Sequence, residues 1–545
     1  MTGPFRITLT ALLLSAAGGC GSRGEVTFTI SPPTNQPLNP IADRSRVSEY
    51  SIKRFDGTLI GVASDEPTSS ETLSLGVLAQ LTTPSDLVMT VLSGSELLGM
   101  ARLRDVVIEP GKQHDYVAEL RKPLITIGSA LPDETLAGNL LLPGKIVDPV
   151  SGQDLSHPKV ADPANPAPQL PMGTTSASAT WDGRFILAAS GKMLTVIDTG
   201  TGATVGAAQL GFSASRVAVG ARDTAVAVLD PAGAVLLFPD VPSLTSNPQG
   251  ATGTRVQLMG MQRTVTFAAD GKSLYVLSGG GVDPCSPTAA TPTPNGITVL
   301  GLDGSMLGAW TFTGFAADIA VDATSGAIAV SQTTDNRVGW LDPTTGFGAA
   351  KPTKLLDAVC PNGLRIANGE VFVLTNERNA TSTSLPVFYM QRASLAGGAV
   401  SKVSFSSPVY DNVDMVGMPT PDGNTRLKFQ FTPVSIVAYE MAISPDATRL
   451  VLATRARYHE ANASLVVLDA PCKATFDIVE YGVYTLDTRT GQALYSTRSQ
   501  IVGGTGGSLP ACITCDAGIG GPIPFPCNSV PGDRAAGVSA VFGGP

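Results

Sequence analysis

A short motif that recurs through most of the chain constrains the fold more than any other feature. It consists of an apolar run, a turn such as Asp-Gly, a second apolar run and a strand that ends in Asp-x-x-Thr-Gly, with its clearest copy at residues 180–189 and 194–202. Asp-Gly and Thr-Gly supply the positive-φ turns that join twisted antiparallel strands. Repetition of such a unit predicts a propeller or a solenoid. Related halves of the motif begin at Val265, Val338, Met441 and Val483.

These repeats resemble the YVTN-type β-propeller repeats of bacterial envelope proteins. The resemblance covers residues 121–545, where the blade skeleton matches and the intervening loops do not. It implies a fold and not an activity. We therefore expect an all-β chain that contains a seven-bladed propeller, with one blade starting near each of Ser178, Arg216, Arg263, Asp318, Asn362, Tyr439 and Gly537.

The last predicted blade is incomplete, because too few residues follow Gly537 to form three further strands. Two strand-like segments near the start of the repeat region, 123–127 and 145–152, are available to complete it. We therefore predict that N- and C-terminal strands of the propeller pair in one composite blade. Such pairing closes the ring and removes free sheet edges, which otherwise invite aggregation.

Residues 25–120 precede the repeats and predict a separate β-sandwich domain. The segments 25–30 and 87–91 are apolar and rich in β-branched residues, and 116–120 alternates between apolar and polar residues. Both patterns are typical of strands. The predicted organisation is therefore a sandwich at 25–120 followed by a propeller at 121–545.

Composition agrees with short strands and argues against one class of partner. The chain has 59 Gly and 41 Pro, and only 15% of its residues are charged. A formal net charge of −9, with 36 Lys and Arg, argues against a broad phosphate-binding surface. Nucleic-acid binding needs clustered cations that displace counterions, so we expect no nucleic-acid partner.

The first residues of the chain predict an export signal. Arg6 is followed by an apolar run at 7–14, small residues at 15–19 and then Cys20. This order resembles a bacterial lipoprotein signal peptide. It implies a leader at 1–19, a lipidated Cys20 and a tether at 20–24, and the residues after Cys20 favour the outer membrane of the cell envelope. The alternatives are an ordinary secretory signal and a short buried helix, and the apolar run is too short to span a bilayer.

The six cysteines other than Cys20 predict disulfides, because an even number in an exported chain is usually a disulfide set. Four of them cluster towards the C-terminus and two lie apart, so we expect pairing to follow this division. A zinc site built on the Cys-Ile-Thr-Cys sequence is the alternative. A c-type haem attachment is disfavoured because Asp516 stands where the motif needs His. The six residues are Cys285, Cys360, Cys472, Cys512, Cys515 and Cys527.

Five charged residues fall near the predicted starts of the innermost strands. If these strands begin at the same face of the ring, their side chains meet around the central opening as a candidate binding site. The alternative is that they pair with one another and line a water-filled tunnel. The residues are Arg216, Arg263, Asp318, Arg365 and Glu440.

A second candidate binding site contains Arg457 and His459, which we expect in a loop just beyond an apolar strand. A carboxylate next to an imidazole, such as Glu460 next to His459, keeps the imidazole ready to accept a proton. Solvated loop charges are the alternative. The sequence contains no hydrolase nucleophile motif and no phosphate loop, so we assign no catalytic residue, metal or cofactor.

Four long insertions interrupt the blade pattern, and loops of this length are usually functional or disordered. The leading hypothesis is a lipid-anchored, non-catalytic envelope protein in which the sandwich is a stalk and the propeller binds a protein or a glycan. The alternatives are a propeller enzyme of the lactonase-like hydrolase class, with its site at the channel mouth, and a structural subunit of an envelope assembly. The insertions are residues 279–295, 378–385, 406–431 and 503–533.

Overall fold

The computed structural model of the chain is almost entirely β-structure. Within the ranges that it describes, α1 (Val241–Ser246) is the one α-helix. Short strands joined by turns therefore dominate, as the composition predicts. The described residues are 25–54, 58–64, 72–76, 81–110, 112–128, 144–156, 158, 161–279, 295–377, 387–404, 413–414, 427–465, 470–474, 477–503, 511–516, 522–526 and 538–540.

Two packed sheets form the N-terminal domain, and their strands are β1 (Glu25–Ser31), β2 (Glu49–Arg54), β3 (Leu59–Ser64), β4 (Thr72–Gly76), β5 (Leu81–Ser93), β6 (Glu96–Ile108) and β7 (Gln113–Glu119). One sheet has the order β4-β1-β7 and the other β3-β2-β5-β6. The two sheets share one hydrophobic core that buries Phe28, Ile52 and Met89. Every second residue from Leu87 to Val91 is buried, because side chains alternate across a strand.

Two short strands follow, and then four-stranded units succeed one another along the chain. The short strands are β8 (Ile125–Ile127) and β9 (Lys145–Val147). The first unit contains β10 (Thr174–Ala179), β11 (Phe185–Ser190), β12 (Met193–Asp198) and β13 (Thr204–Gln209). The second contains β14 (Arg216–Val219), β15 (Val226–Asp230), β16 (Ala234–Phe238) and β17 (Thr254–Gln257).

The next three units repeat this pattern. The third contains β18 (Gln262–Phe267), β19 (Ser273–Ser278), β20 (Gly296–Gly301) and β21 (Met306–Thr311). The fourth contains β22 (Ala316–Val321), β23 (Ile328–Gln332), β24 (Arg337–Leu341) and β26 (Thr353–Asp357), and its short β25 (Gly348–Ala349) pairs instead with β21. The fifth contains β27 (Pro361–Ala367), β28 (Glu370–Glu377), β29 (Val387–Ser394) and β30 (Ser401–Ser404).

The C-terminal region contains the longest strands of the chain. A two-residue β31 (Val413–Asp414) precedes the sixth unit, which contains β32 (Leu427–Ile443), β33 (Arg449–Leu465), β35 (Asp477–Asp487) and β36 (Ala493–Gly503). Both β32 and β33 are 17 residues long. The chain continues the same sheet with β34 (Ala470–Ala474), β37 (Ala511–Asp516) and β38 (Pro522–Pro526), and it ends its described part with β39 (Val538–Ala540).

The recurring Asp-x-x-Thr-Gly sequence forms the turn between the third and fourth strands of a unit. In the first unit, Asp198 Oδ1 accepts hydrogen bonds from the backbone N–H groups of Gly200 (2.7 Å) and Thr201 (3.0 Å). Gly202 then takes a φ of 78°, which favours glycine. Asp487 repeats the turn in the sixth unit by accepting from the N–H group of Thr490 (2.9 Å).

The first strands of the units contact one another in a ring. Contacts run in the order β10, β14, β18, β22, β27, β32 and β39, and β39 contacts β10 again. The predicted pairing of the two ends is present, because β39 pairs antiparallel with β8 and places Val538 opposite Ile127. Successive antiparallel four-stranded sheets around such a ring form a β-propeller fold.

The ring has two faces, because antiparallel strands reverse direction at each turn. We call the first the docked face: it carries the turns between first and second strands and between third and fourth strands. We call the second the open face: it carries the connections between second and third strands and those that enter the next first strand.

The N-terminal domain packs directly on the ring and does not stand clear of it as a stalk. One hydrophobic cluster contains Leu97 and Met100 of β6 together with Leu124, Ile146 and Ile186 from the ring side. Backbone hydrogen bonds of 2.9 and 2.8 Å also join Met100 to Arg121. The expected boundary near residue 120 is therefore crossed by a continuous core.

Candidate functional site

The structure brings four of the five predicted channel residues into one ion-pair network. Each lies on the first strand of a different unit: Arg216 on β14, Asp318 on β22, Arg365 on β27 and Glu440 on β32. Arg365 Nη1 lies 3.0 Å from Asp318 Oδ2, and Arg365 Nη2 lies 2.7 Å from Glu440 Oε1. Arg216 forms a further ion pair with Glu440. The network therefore joins side chains from four units.

The ion pair between Arg216 and Glu440 crosses the centre of the ring. It joins β14 to β32, whereas the ring neighbours of β14 are β10 and β18 and those of β32 are β27 and β39. Glu440 is 7% exposed, so the bridge lies inside the ring. This arrangement agrees with the alternative in which the charged residues pair with one another.

The carboxylate of Asp318 is held by backbone groups as well as by Arg365. Its Oδ1 accepts a hydrogen bond from the N–H group of Ile319 (2.9 Å), and its Oδ2 accepts one from that of Leu364 (2.9 Å). Burial by itself lowers the pKa of Arg365, but the charges of Asp318 and Glu440 outweigh it and raise that pKa. These contacts direct the carboxylates of Asp318 and Glu440 toward arginine, an arrangement that suits a structural role better than proton transfer.

Arg263 lies beside this network. Its Nε donates to the backbone oxygen of Ala317, next to Asp318. Its guanidinium carbon lies 5.8 Å from the ring centroid of Phe315. Arg263 thus contacts the strand that carries Asp318, beside the ion pairs that the other four residues form.

The prediction of a loop around Arg457 and His459 is wrong. Strand β33 runs without a break from Arg449 to Leu465, and it places Arg457 opposite Ser435 and His459 opposite Thr432 on β32. This segment contains neither an Asp-Gly nor a Thr-Gly turn sequence, so β32 and β33 extend past the strands of the rest of the ring. The side chains of these two residues lie outside the described part of the structure.

The cysteines are described only in part. Cys360 is disulfide-bonded. The register of β34 and β37 places Cys472 opposite Cys515, and the backbone of Cys512 lies on the same strand β37. Cys20, Cys285 and Cys527 lie outside the described residues.

A second charged cluster lies at the junction between the N-terminal domain and the docked face, and the sequence analysis did not predict it. Arg102 and Arg104 of β6 approach Trp181, with guanidinium carbons 5.5 and 4.9 Å from the centroid of its ring. Arg102 also donates to the backbone oxygen of Trp181 (2.8 Å). Burial lowers the pKa of Arg102 to about 10, so its guanidinium remains charged at neutral pH.

Asp223 links the same arginine pair to the second unit of the ring. It accepts hydrogen bonds of 2.5 Å from the N–H group of Trp181 and from Arg104. Burial and the nearby charge of Asp182 raise the pKa of Asp223 to about 6 despite these bonds.

Arg222 completes the junction. Its Nε lies 2.7 Å from Asp86, and its Nη2 lies 2.8 Å from Asp105. Arg222 and Asp223 have φ values of 55° and 60°, which residues other than glycine rarely adopt. The contacts from the N-terminal domain therefore hold a strained corner. The only sequence signal is the lack of glycine between Ala221 and Thr224, where the first, third and fifth units carry Asp-Gly or Asn-Gly.

The open face presents apolar side chains to solvent. They lie in the connections that enter β10, β18 and β27. They are Met172 (57% exposed), Met259 (80%), Met261 (50%) and Val359 (38%).

All four predicted insertions belong to connections of the open face. Residues 279–295 join β19 to β20, residues 378–385 join β28 to β29, residues 406–431 run into β32, and residues 503–533 precede β39. The expectation of irregular structure is wrong for part of 406–431, which includes β31 and the start of β32, and for part of 503–533, which includes β37 and β38. The turn 444–448, which joins β32 to β33, lies at the docked face. The extra length of these two strands therefore projects from the open face.

Two further properties concern the described part of the chain only. No helix there is long and apolar enough to cross a bilayer. No group of three or more His, Cys, Asp or Glu side chains is placed there to hold a metal ion.

Comparison with known proteins adds little to these observations. No known protein family matches the chain, and no curated protein matches it. Similar solved structures include Kuenenia stuttgartiensis hydrazine synthase, with 13% identity, 55% of this chain and 79% of that chain covered, and a TM-score of 0.37. The β-propeller domain of Cps50 (Swd1) from Myceliophteria thermophila has 9% identity, coverages of 63% and 93%, and a TM-score of 0.38.

A chain of a mitotic checkpoint complex is similar at 12% identity, with 57% of this chain and 81% of that chain covered and a TM-score of 0.36. Likeness at this level carries no argument about activity or partners. The chain is a β-propeller protein on the strength of its own strand order and its ring of contacts.

Proposed function

We propose that this chain is a lipid-anchored, non-catalytic protein of the cell envelope whose open face binds another protein. Its architecture is an N-terminal β-sandwich docked on a seven-bladed propeller. Six blades begin with β10, β14, β18, β22, β27 and β32, and the seventh is the composite of β39, β8 and β9.

The division of the ring into two faces carries the proposal. One face carries the chain's own N-terminal domain, which packs on turns of the first, second and sixth units, while the other gathers the long insertions, the projecting strands of the sixth blade and the exposed methionines. Methionine is flexible and polarizable, and it is enriched where proteins adapt to protein partners. This favours a protein over the alternative glycan partner.

The charge network at the ring centre supports a non-catalytic role. A hydrolase of the lactonase-like class needs an accessible carboxylate or metal at the channel mouth. Asp318 and Glu440 instead pair with Arg365 and Arg216. The network also bridges the tunnel through which a substrate would reach the centre.

Lipid anchoring is supported by the order of residues around Cys20, which lies five positions before the first residue of β1. We place the protein at the outer membrane because Gly21 and Ser22 follow the cysteine. A Cys20→Ser variant is expected to leave the membrane fraction and to incorporate no labelled fatty acid.

The binding face is tested by crosslinking in cells. A photoreactive residue replaces Met259 on the open face, and a matched variant carries it at the exposed Thr324, in the turn between β22 and β23 on the docked side. We expect one dominant protein to be captured through position 259 and not through 324, as identified by mass spectrometry after a denaturing wash.

The outcomes separate the alternatives. Equal capture at both positions, or no protein captured at either, contradicts binding through the open face. A captured protein that is recovered in fixed stoichiometry under native conditions identifies the structural-subunit alternative. Turnover of a lactone that Glu440→Gln abolishes without unfolding the protein identifies the enzyme.

A further inference from the structure

The position of β1 shows where the N-terminal tether leaves the folded protein. β1 pairs parallel with β7, so Glu25 lies opposite Gln113 and Ser31 lies opposite Glu119. The end of β7 continues directly into the ring, because Arg121 pairs with Met100 and β8 begins at Ile125. The start of β1 therefore lies away from the junction with the ring, and it belongs to the outer of the two sheets, because Met100, Arg102 and Arg104 of the other sheet contact the ring.

The N-terminal domain also separates this point from the open face. Its contacts are with turns of the docked face: Arg104 reaches Asp223, and Asn35 donates to the backbone oxygen of Thr201 at 3.0 Å. A shallow cleft is lined by Glu96 from the domain and by Ser444 and Thr448 from the turn of the sixth blade. The order along the molecule is therefore tether, N-terminal domain, docked face, open face.

We infer that the lipid anchor and the open face lie at opposite ends of the molecule, so that the bound partner is a water-soluble protein and not a lipid surface. This inference rests on the proposed function, because it needs both the lipid at Cys20 and binding through the open face.

The tether is short compared with the distance between its exit point and the open face. The five residue steps from Cys20 to Glu25 span about 17 Å when fully extended. The two sheets of the N-terminal domain lie about 10 Å apart, and the strands of the ring add roughly 15 to 20 Å beyond its docked face. The tether is therefore too short to bring the open face back to the bilayer that holds the lipid.

The face also has the chemistry of a protein contact. Its exposed methionines are apolar and carry no charge, whereas attraction to anionic lipids requires clustered Lys or Arg. The formal net charge of the chain is −9, which further disfavours an anionic lipid surface as the partner.

The experiment uses the full lipidated chain on vesicles of phosphatidylethanolamine and phosphatidylglycerol that contain a lipid with a nitroxide headgroup. A fluorescent amino acid is placed in separate variants at three exposed positions: Gln113, Thr324 and Met259. Quenching by the nitroxide reports how close each position lies to the membrane surface.

We expect the strongest quenching at Gln113, weaker quenching at Thr324 and the weakest at Met259. Quenching at Met259 equal to or above that at Gln113 overturns the inferred orientation while leaving the anchor intact. If wild type binds vesicles no better than Cys20→Ser, the lipid anchor itself is contradicted, and the orientation inference falls with it.

Discussion

At the scale of single residues, Glu440 has the most demanding position in the ring. It is nearly buried and pairs with Arg216 and Arg365, each of which keeps about a third of its side chain exposed (33% and 31%). Removing one partner of a buried pair leaves the other charges without compensation. We expect Glu440→Gln to destabilise the protein by about 3 kcal/mol, seen as a lower Tm in calorimetry.

The matched control for this substitution is Lys354→Ala. Lys354 pairs with Asp357 at 2.6 Å, but both side chains are more than half exposed (53% and 77%). Exposed pairs contribute little, in general below about 1 kcal/mol. If the Glu440→Gln variant has the same Tm as the Lys354→Ala control, the cross-channel network adds no stability.

Asp223 gives the molecule a specific pH dependence. An unfolded aspartate titrates near pH 4, whereas burial and Asp182 raise the pKa of Asp223 to about 6 in the folded state. The folded state therefore binds the proton more tightly, and the stability contributed by Asp223 falls as the pH rises from about 4 to 6.

Asp223→Asn tests this dependence, because asparagine keeps an oxygen for the N–H group of Trp181 and does not titrate. From pH 4 to pH 7 we expect wild type to lose up to about 3 kcal/mol of stability relative to the variant. Denaturant unfolding at several pH values measures the difference, in which the other titrating groups cancel. A difference that is constant across this range contradicts the assigned titration.

At the scale of elements, β39 joins the two ends of the propeller. It pairs with β8 and contacts the first strands β10 and β32. Deletion of residues 534–545 leaves an open edge at β8 and removes the packing of β39 against β10 and β32, and we expect Tm to fall by on the order of 5 °C or more. Deletion of 541–545 alone spares β39 and is the control. Equal melting of the two truncated chains would contradict ring closure.

The facing register of β34 and β37 makes a disulfide prediction. Cys472 and Cys515 are direct cross-strand partners, and the Cβ atoms of opposite residues in antiparallel strands lie near enough that a small approach gives the spacing of a disulfide. We expect peptide mapping of the exported protein, without reduction, to find Cys472 linked to Cys515. Linkage of Cys472 to Cys512 or Cys527 instead would show that the strands pair in another register.

The elements also show what the sequence predicts and what it does not. The turns around Asp198 and Asp487 were predictable because their chemistry is local to a few residues. The length of β32 and β33 was not, because no turn signal marks where a strand fails to stop. The ion pair of Arg222 with Asp86 joins residues 136 positions apart, and composition and periodicity carry no information on such a contact.

The same distinction applies to the candidate site. The charged residues of the inner strands were found because each occupies a similar place in its repeat. Whether they bind a ligand or pair with one another depends on side chains from opposite sides of the ring, such as Arg216 and Glu440. The tertiary structure decides between these two roles, and in this protein it favours ion pairing among the charged residues.

At the scale of the whole molecule, the N-terminal domain and the propeller share a core, and this predicts that they unfold together. Leu38, Leu97 and Met100 of the N-terminal domain pack in one cluster with ring residues such as Ile146 and Ile186, all buried. A domain joined only by a linker would unfold separately, whereas removing an apolar side chain from a shared core weakens both partners.

Met100→Ala therefore should increase amide hydrogen exchange in β11 of the ring as well as in β5 of the N-terminal domain. A loss of about 2 to 4 kcal/mol is typical for truncation of a buried methionine, which corresponds to faster exchange by more than tenfold where exchange requires unfolding. Val117→Ala is the control, because Val117 is 60% exposed on β7 and its truncation leaves the cluster intact. Faster exchange confined to β5 would show that the two parts are energetically independent, and the N-terminal domain would then be a stalk after all.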